Sequence, residues 1–221
     1  MVKGMAFTKA ARAITIAVRE GGGIGDPVHN FHLRLAIEKA HDVNMPKENI
    51  DRAIEKGLGG GATNIEQIMY EGYGPGGVAL IVEAATDNRQ RTVAAVKNVL
   101  ERVGGSLGSP GSVEYLFKRA GVLTIPKSVS FDRLFESAVA AGADDVVETD
   151  ELFEVYADVS AISTVKQKLM EEGIGIDNTE IIMKPTSVVP LSNDKIISLE
   201  NLVEQLESLD DVQHVFTNEG M

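Results

Sequence analysis

A chain of 221 residues with 43% hydrophobic content can bury one large core, or two to three small ones, without outside staples. It holds no cysteine, which excludes disulfides and thiolate metal sites and suits a reducing compartment, and no run approaches the roughly 20 apolar residues that span a bilayer. The net charge of −12 by itself argues against wrapping a polyanion, yet the charge is unevenly spread: residues 1–120 carry 15 basic against 13 acidic side chains, residues 121–221 carry 6 against 20. The amino terminus lacks the apolar stretch of a signal peptide, so the expectation is a soluble, cytoplasmic protein without a membrane partner. Its front half is the candidate surface for contacting nucleic acid.

Phe7, Ala10, Ala11, Ile14 and Val18 recur at helical spacing, which predicts an amphipathic helix over Phe7–Arg19 with Lys9, Arg12 and Arg19 on the opposite side. It stops at Gly21-Gly22-Gly23. A second helix is expected from about Val28 to Val43, and a third from Pro46, a residue suited to the first turn, with Glu48 complementing the dipole and Gly57 ending it. Residues 1–62 therefore read as a helical domain closed by a glycine hinge. His29 and His32 lie on the second helix, but His41 is about 18 Å along it from His29, too far to complete a metal site. No metal or cofactor is expected.

After Ile65 the period changes to that of strands, at Ile68–Tyr70 and Val78–Val82, followed by a helix over Thr92–Val103 and a strand over Ser112–Phe117. From Gly121 the order becomes strand Val122–Ile125, helix Phe131–Ala141, strands Asp145–Glu148 and Phe153–Ala157, helix Ile162–Glu172 and strand Glu180–Met183. That is the β-α-β-β-α-β order of a ferredoxin-like unit. The tail, helix Leu199–Leu209 and strand Val212–Phe216, cannot bury its own apolar face and is expected to return to the earlier sheet. The expected fold class is α+β: a helical domain (1–62), a discontinuous α/β domain (63–120 plus 186–221), and a ferredoxin-like α/β domain (121–185) inserted into it.

Tyr70, Glu71, Gly72, Tyr73, Gly74, Pro75, Gly76 and Gly77 contain G-x-G-x-x-G, a spacing that cradles phosphates when a helix follows. Here a strand follows. No Gly-Lys-Ser/Thr is present, and no lysine occurs between Lys56 and Lys97 for a kinase-type loop. The loop reads as a turn, with Tyr70, Tyr73 and the glycines presenting a surface near the helical domain. Asp87 or Asn88 can cap the next helix, and Arg89 and Arg91 at its N-terminus are candidate phosphate contacts. The acidic run Asp144, Asp145, Glu148, Asp150, Glu151 and Glu154 reads as a solvated hairpin rather than a pair of catalytic carboxylates. No catalytic residues and no small-molecule substrate are expected. The candidate nucleic-acid contacts are Lys9, Arg12, Arg19, Arg34, Lys39, Arg52 and Lys56 with Arg89 and Arg91; a merely solvated basic face is the competing account.

YEGYGPGG (Tyr70–Gly77), VEAATDNRQRTVAAVK (Val82–Lys97), GGSLGSPGSVEYLF (Gly104–Phe117), AAGADDV (Ala140–Val146) and NMPKENIDRAIEKG (Asn44–Gly57) together resemble the YebC/PmpR family of bacterial proteins, related to mitochondrial translational activators of cytochrome oxidase subunit I. The resemblance implies three domains and a non-enzymatic role in gene expression. It implies DNA-binding transcriptional regulation or, alternatively, a ribosome-associated translation factor contacting ribosomal RNA. Family members usually open with a basic segment of the type GHSKW, whereas this chain opens MVKGMAFTKAARAI and resembles the family from about Phe7. Less positive charge at that end implies weaker phosphate binding.

Overall fold

Three helices open the chain in the computed structural model, which describes residues 3–60 and 65–220: α1 (Lys3–Glu20), α2 (Phe31–Asp42) and α3 (Lys47–Gly57). The expected boundary between residues 62 and 63 lies outside the described residues. Helix α2 starts later than the apolar spacing predicts because Asn30 caps it. The Asn30 side-chain oxygen accepts the Leu33 N–H at 3.0 Å, while its Nδ2 donates to the carbonyls of Ala17 and Ile24, each at 2.9 Å. One buried side chain thus ends the loop after α1 and begins α2. Ile14, Val18, Leu33, Ala40, Met45 and Ile50 meet in the helical core. Gly57 is where α3 touches α1: a Cβ there would lie 2.6 Å from Val18 Cβ and 2.9 Å from the Thr15 carbonyl. Only glycine permits that approach.

β1 (Glu66–Tyr73) and β2 (Ala79–Thr86) pair antiparallel from Glu66 opposite Thr86 to Tyr73 opposite Ala79. They are joined by a single 3₁₀ turn, Pro75–Gly77, with φ of 78° at Gly76 and 82° at Gly77. Helix α4 (Arg89–Arg102) follows, capped by the Asn88 side chain, which accepts the Arg91 N–H at 3.0 Å. The short β3 (Ser106–Leu107) adds to the outer side of β1.

The strand expected over Ser112–Phe117 is not formed. Glu114–Leu116 is a 3₁₀ turn, and the next strand starts at Phe117. The cause is Glu71, a buried carboxylate on β1 that accepts the backbone N–H groups of Gly111 at 2.5 Å, Val113 at 2.7 Å and Glu114 at 2.8 Å. The Glu71 carbonyl also accepts the Gly108 N–H at 2.7 Å. N–H groups that converge on one anion cannot point alternately to two strand neighbours, so the apolar alternation is overridden.

Residues 118–184 form a compact unit of their own, inserted in the chain between residues 1–117 and 185–221, which together form the other. Its elements are β4 (Phe117–Pro126), α5 (Phe131–Ala141), β5 (Asp145–Glu148), β6 (Leu152–Ala157), α6 (Ile162–Glu171) and β7 (Asn178–Pro185). The sheet order β5-β6-β4-β7 is that of a ferredoxin-like unit. Leu123, Ile125, Leu134, Val155, Ile162 and Leu169 are fully buried within it. Its acidic run is exposed except at the half-buried Glu154, which accepts the Tyr156 hydroxyl, and part of it is answered by lysines: Lys184 pairs with Asp145 and Lys127 with Glu148, each at 3.0 Å, and Lys118 stands 3.7 Å from Asp144.

The tail supplies β8 (Val189–Pro190), α7 (Asn193–Glu207), β9 (Val212–Thr217) and β10 (Glu219–Gly220). β9 pairs antiparallel with β2 and completes the order β3-β1-β2-β9. Leu80 and Val82 from β2, Val96 and Leu100 from α4, and Leu199, Leu202 and Leu206 from α7 share one core, so both helices cover the same face of that sheet. β8 and β10 form a separate parallel pair. Among the described residues no helix is long and apolar enough to cross a membrane.

Burial pushes the Glu71 carboxyl up, but hydrogen bonds from the backbone at Val113, Gly111 and Glu114 outweigh it and hold the group below its ordinary value. Glu71→Ala leaves those N–H groups unpaired and is expected to cost about 2–4 kcal/mol in urea unfolding. Limited proteolysis should then cut within residues 108–116; a variant of unchanged stability would show that the turn holds itself.

Candidate nucleic-acid interface

Asp211 lies in the turn between α7 and β9, 6% exposed, and gathers side chains from three other elements. Arg12 of α1 reaches Oδ1 at 2.6 Å and the Asp210 carbonyl at 2.6 Å. Arg91 of α4 donates from Nη2 to Oδ2 at 2.8 Å and to Oδ1 at 3.0 Å, with Nε 3.2 Å from Oδ2. Thr92 donates to Oδ2 at 2.6 Å, and the Thr86 hydroxyl at the end of β2 stands 3.2 Å from it. The Asp211 carbonyl accepts the Ala85 N–H at 2.7 Å, which locks the turn to the sheet. Burial pushes this carboxyl up, while the hydrogen bonds from Thr92 and Arg91 and the charge of Arg12 together hold it below its ordinary value.

The same tail segment takes a third cation. Lys9, one turn before Arg12 on α1, donates to the Glu207 carbonyl; burial lowers its ammonium group, opposed by the charges of Glu207 and Asp210. Lys9 and Arg12 of α1 therefore face residues 207–211. A cleft of about 400 Å³ lies between these elements, with Arg12, Arg91, Thr92, Leu209, Asp210 and Asp211 on its walls. Its cations are already matched by carboxylate and carbonyl oxygens.

The other sequence-predicted contacts divide in the same way. Arg19 donates to the Ile65 carbonyl. Arg89 pairs with Glu66 on β1 at 2.7 Å, and Arg91 also pairs with Asp87 at 2.8 Å. In contrast, Arg34 sits 5.6 Å over the Phe31 ring on α2, and Lys39 lies half-buried near the end of the same helix. Arg52 and Lys56 are exposed on α3. Arg52 is fixed within its own helix by Nε to the Glu48 carbonyl at 3.1 Å and Nη2 to the Asn49 oxygen at 2.7 Å. The structure thus brings Lys9, Arg12 and Arg91 together around the tail and leaves Arg34, Lys39, Arg52 and Lys56 on α2 and α3.

In the glycine loop, Gly72 lies against β3 and Gly74 against Leu80, Leu199 and Leu202, where a Cβ would stand 2.7 Å from the Ser106 carbonyl and 3.1 to 3.4 Å from the leucines. Tyr73 donates to the Ser112 carbonyl at 3.1 Å, and Pro75 is buried. Tyr70 packs against the sheet core with its hydroxyl buried and without a hydrogen-bond partner among the described residues. Among the described residues no group of three or more His, Asp or Glu is placed to hold a metal ion. Sequence reasoning missed Asp211 as an organising residue. The available signal was an acidic pair, Asp210-Asp211, directly before a strand in a chain whose cations lie far ahead of it.

With this geometry in hand, comparison with known proteins places the chain among relatives along its whole length. A family model described as the TACO1/YebC protein N-terminal domain matches residues 1–60, and one described as the TACO1/YebC second and third domain matches residues 65–219. A protein of Chloroflexus aggregans named "Probable transcriptional regulatory protein" is 49% identical over 220 residues, which are 98% of this chain and 87% of that one. A similarly named protein of Geobacter sp. (strain M21) is 46% identical over 217 residues with the same coverage. The crystal structure of a conserved hypothetical protein from Aquifex aeolicus matches with a TM-score of 0.86 at 42% identity, covering 98% of this chain and 90% of that one.

Asp211→Asn should destabilise the fold by about 2–4 kcal/mol in chemical denaturation, because two arginines lose their buried counter-charge. Asp87→Asn, at an exposed pair, should cost under about 1 kcal/mol. Since the Asp211 carboxyl is held below its ordinary value, its contribution is present above about pH 4 and is lost as pH falls below it. The acid-side decline in stability should be shallower in Asp211→Asn than in the parent chain.

Proposed function

Since this chain belongs to the TACO1/YebC family, we propose that it is a non-enzymatic, cytoplasmic regulator of transcription that contacts DNA phosphates through the basic side of α2 and α3. The observation that carries this reading is the division of the cations. Lys9, Arg12, Arg19, Arg89 and Arg91 are tied to carbonyl and carboxylate oxygens of other segments of the chain, whereas Arg52 bonds only within α3 and, with Lys56, stands exposed there. The relatives' shared name as transcriptional regulators supports the same reading.

Affinity in this proposal comes from cations that displace the counterions condensed on a polyanion, a term that needs no base contact. In the proposed division of labour, residues 1–62 form the contacting domain and residues 63–120 with 186–221 hold α1 in place through Asp211. Residues 121–185 form the third domain. The unit over 118–184 carries 13 acidic against 7 basic side chains, a balance that repels polyanions from that part of the protein.

Affinity for a short DNA duplex, measured by fluorescence anisotropy, should fall steeply between about 50 and 200 mM salt. Arg52→Gln and Lys56→Gln should each reduce the slope of log affinity against log salt by about one unit. Arg89→Gln should leave it unchanged. Absence of duplex binding even at low salt, together with co-sedimentation of the protein with ribosomes, would overturn the transcriptional reading in favour of a translation factor.

A further inference from the structure

A second groove, of about 230 Å³, opens between α1 and α3 away from the tail segment. Its floor is apolar: Phe7 and Ala11 from α1, Met45 from the turn before α3, and Ala53 from α3. The two alanines leave a gap where longer side chains would close it. Its rim is cationic, and the periodicity of α3 explains why. Asn49, Arg52, Ala53 and Lys56 follow at three- and four-residue intervals and share one stripe, while Glu48, Asp51 and Glu55 fall on the neighbouring one. A helix with equal numbers of acids and bases thereby presents only its bases to the groove. Arg52 is held by its bonds to Glu48 and Asn49, and its Nη1 has no protein partner among the described residues.

We propose that this groove receives one unpaired nucleobase of a single-stranded nucleic acid, with Arg52 and Lys56 on the adjoining phosphate. The proposal rests on the reading of the protein as nucleic-acid-binding and deepens it, by naming the structural state of the strand that is recognised. An apolar, aromatic-containing floor beside two cations matches a ligand whose flat apolar part is joined to an anion. In a nucleic acid that description fits an unstacked base and its own phosphate, because bases inside a duplex are stacked on one another and offer no face. An apolar peptide would leave the cations unanswered, and a phosphate alone would leave the floor wet.

The experiment uses the full chain with three fluorescent probes of one sequence: single-stranded DNA, single-stranded RNA and the DNA duplex. At least one of the single strands should bind more tightly than the duplex, and which of them does so identifies the source of the base. Phe7→Leu keeps an apolar helix-forming residue but removes the aromatic face, and should weaken single-strand binding about tenfold with duplex binding unchanged. Ala11→Leu fills the groove without altering any charge and should do the same, with unfolding midpoints confirming that both variants are folded. The proposal is overturned if both variants bind the single strands like the parent chain, or if single-strand and duplex affinities fall together. In either case the phosphate-contact function stands. Failure of all three probes to bind the parent chain at low salt would remove that function as well, and the two failures are thus distinguishable.

Discussion

Asp211 sits where four segments of the chain meet, and its carboxylate is the counter-charge that lets two arginines from separate helices approach one another. Arg12 and Arg91 would repel across the distance they share. With the aspartate between them, α1, α4 and the end of β2 are tied to the turn before β9. The tie also fixes the tail strand, since the Asp211 carbonyl bonds to Ala85 and β9 pairs along β2. A buried charge is tolerable only when it is fully hydrogen-bonded, and here Thr86, Thr92 and both arginines surround it.

Glu71 repeats the device with backbone donors in place of side chains. Its carboxylate winds residues 111–114 into a turn, and its own position on β1 is set by pairing with Ile81 on β2. The glycines around it serve close packing: Gly72 lies against β3 and Gly74 under the leucines of α7. The G-x-G-x-x-G spacing in this loop arises from those contacts and from the positive φ of Gly76 and Gly77 in the turn. An internal carboxylate occupies the backbone N–H groups of the neighbouring loop that would otherwise attract an anion.

Asp211 and its neighbours change the meaning of the charge pattern. Basic residues in the front half of the chain suggested a contact surface, but Lys9, Arg12, Arg89 and Arg91 are engaged inside the folded unit by the carbonyls of Glu207 and Asp210 and the carboxylates of Asp211 and Glu66. On α3, Arg52 and Lys56 stay outward beside a groove with an apolar floor.

Local periodicity alone determined most of the elements. Helix α5 over Phe131–Ala141 and strand β5 over Asp145–Glu148 begin and end where apolar spacing and flanking glycine and aspartate place them, because those signals act between near neighbours in the chain. The absence of a helix after Gly77, which removes the nucleotide reading of the glycine loop, was equally legible. Three things were decided only by the tertiary structure. The segment Ser112–Leu116 became a turn because Glu71, some forty residues earlier, captured its N–H groups. Helix α2 began at Phe31 because Asn30 found carbonyls on α1 and in the loop after it. Arg12 and Arg91, far apart in the chain, met on Asp211. Propensity and periodicity are properties of adjacent residues and can be read in order along the chain, whereas the partner of a charge is set by distance and burial, and those exist only once the chain has folded.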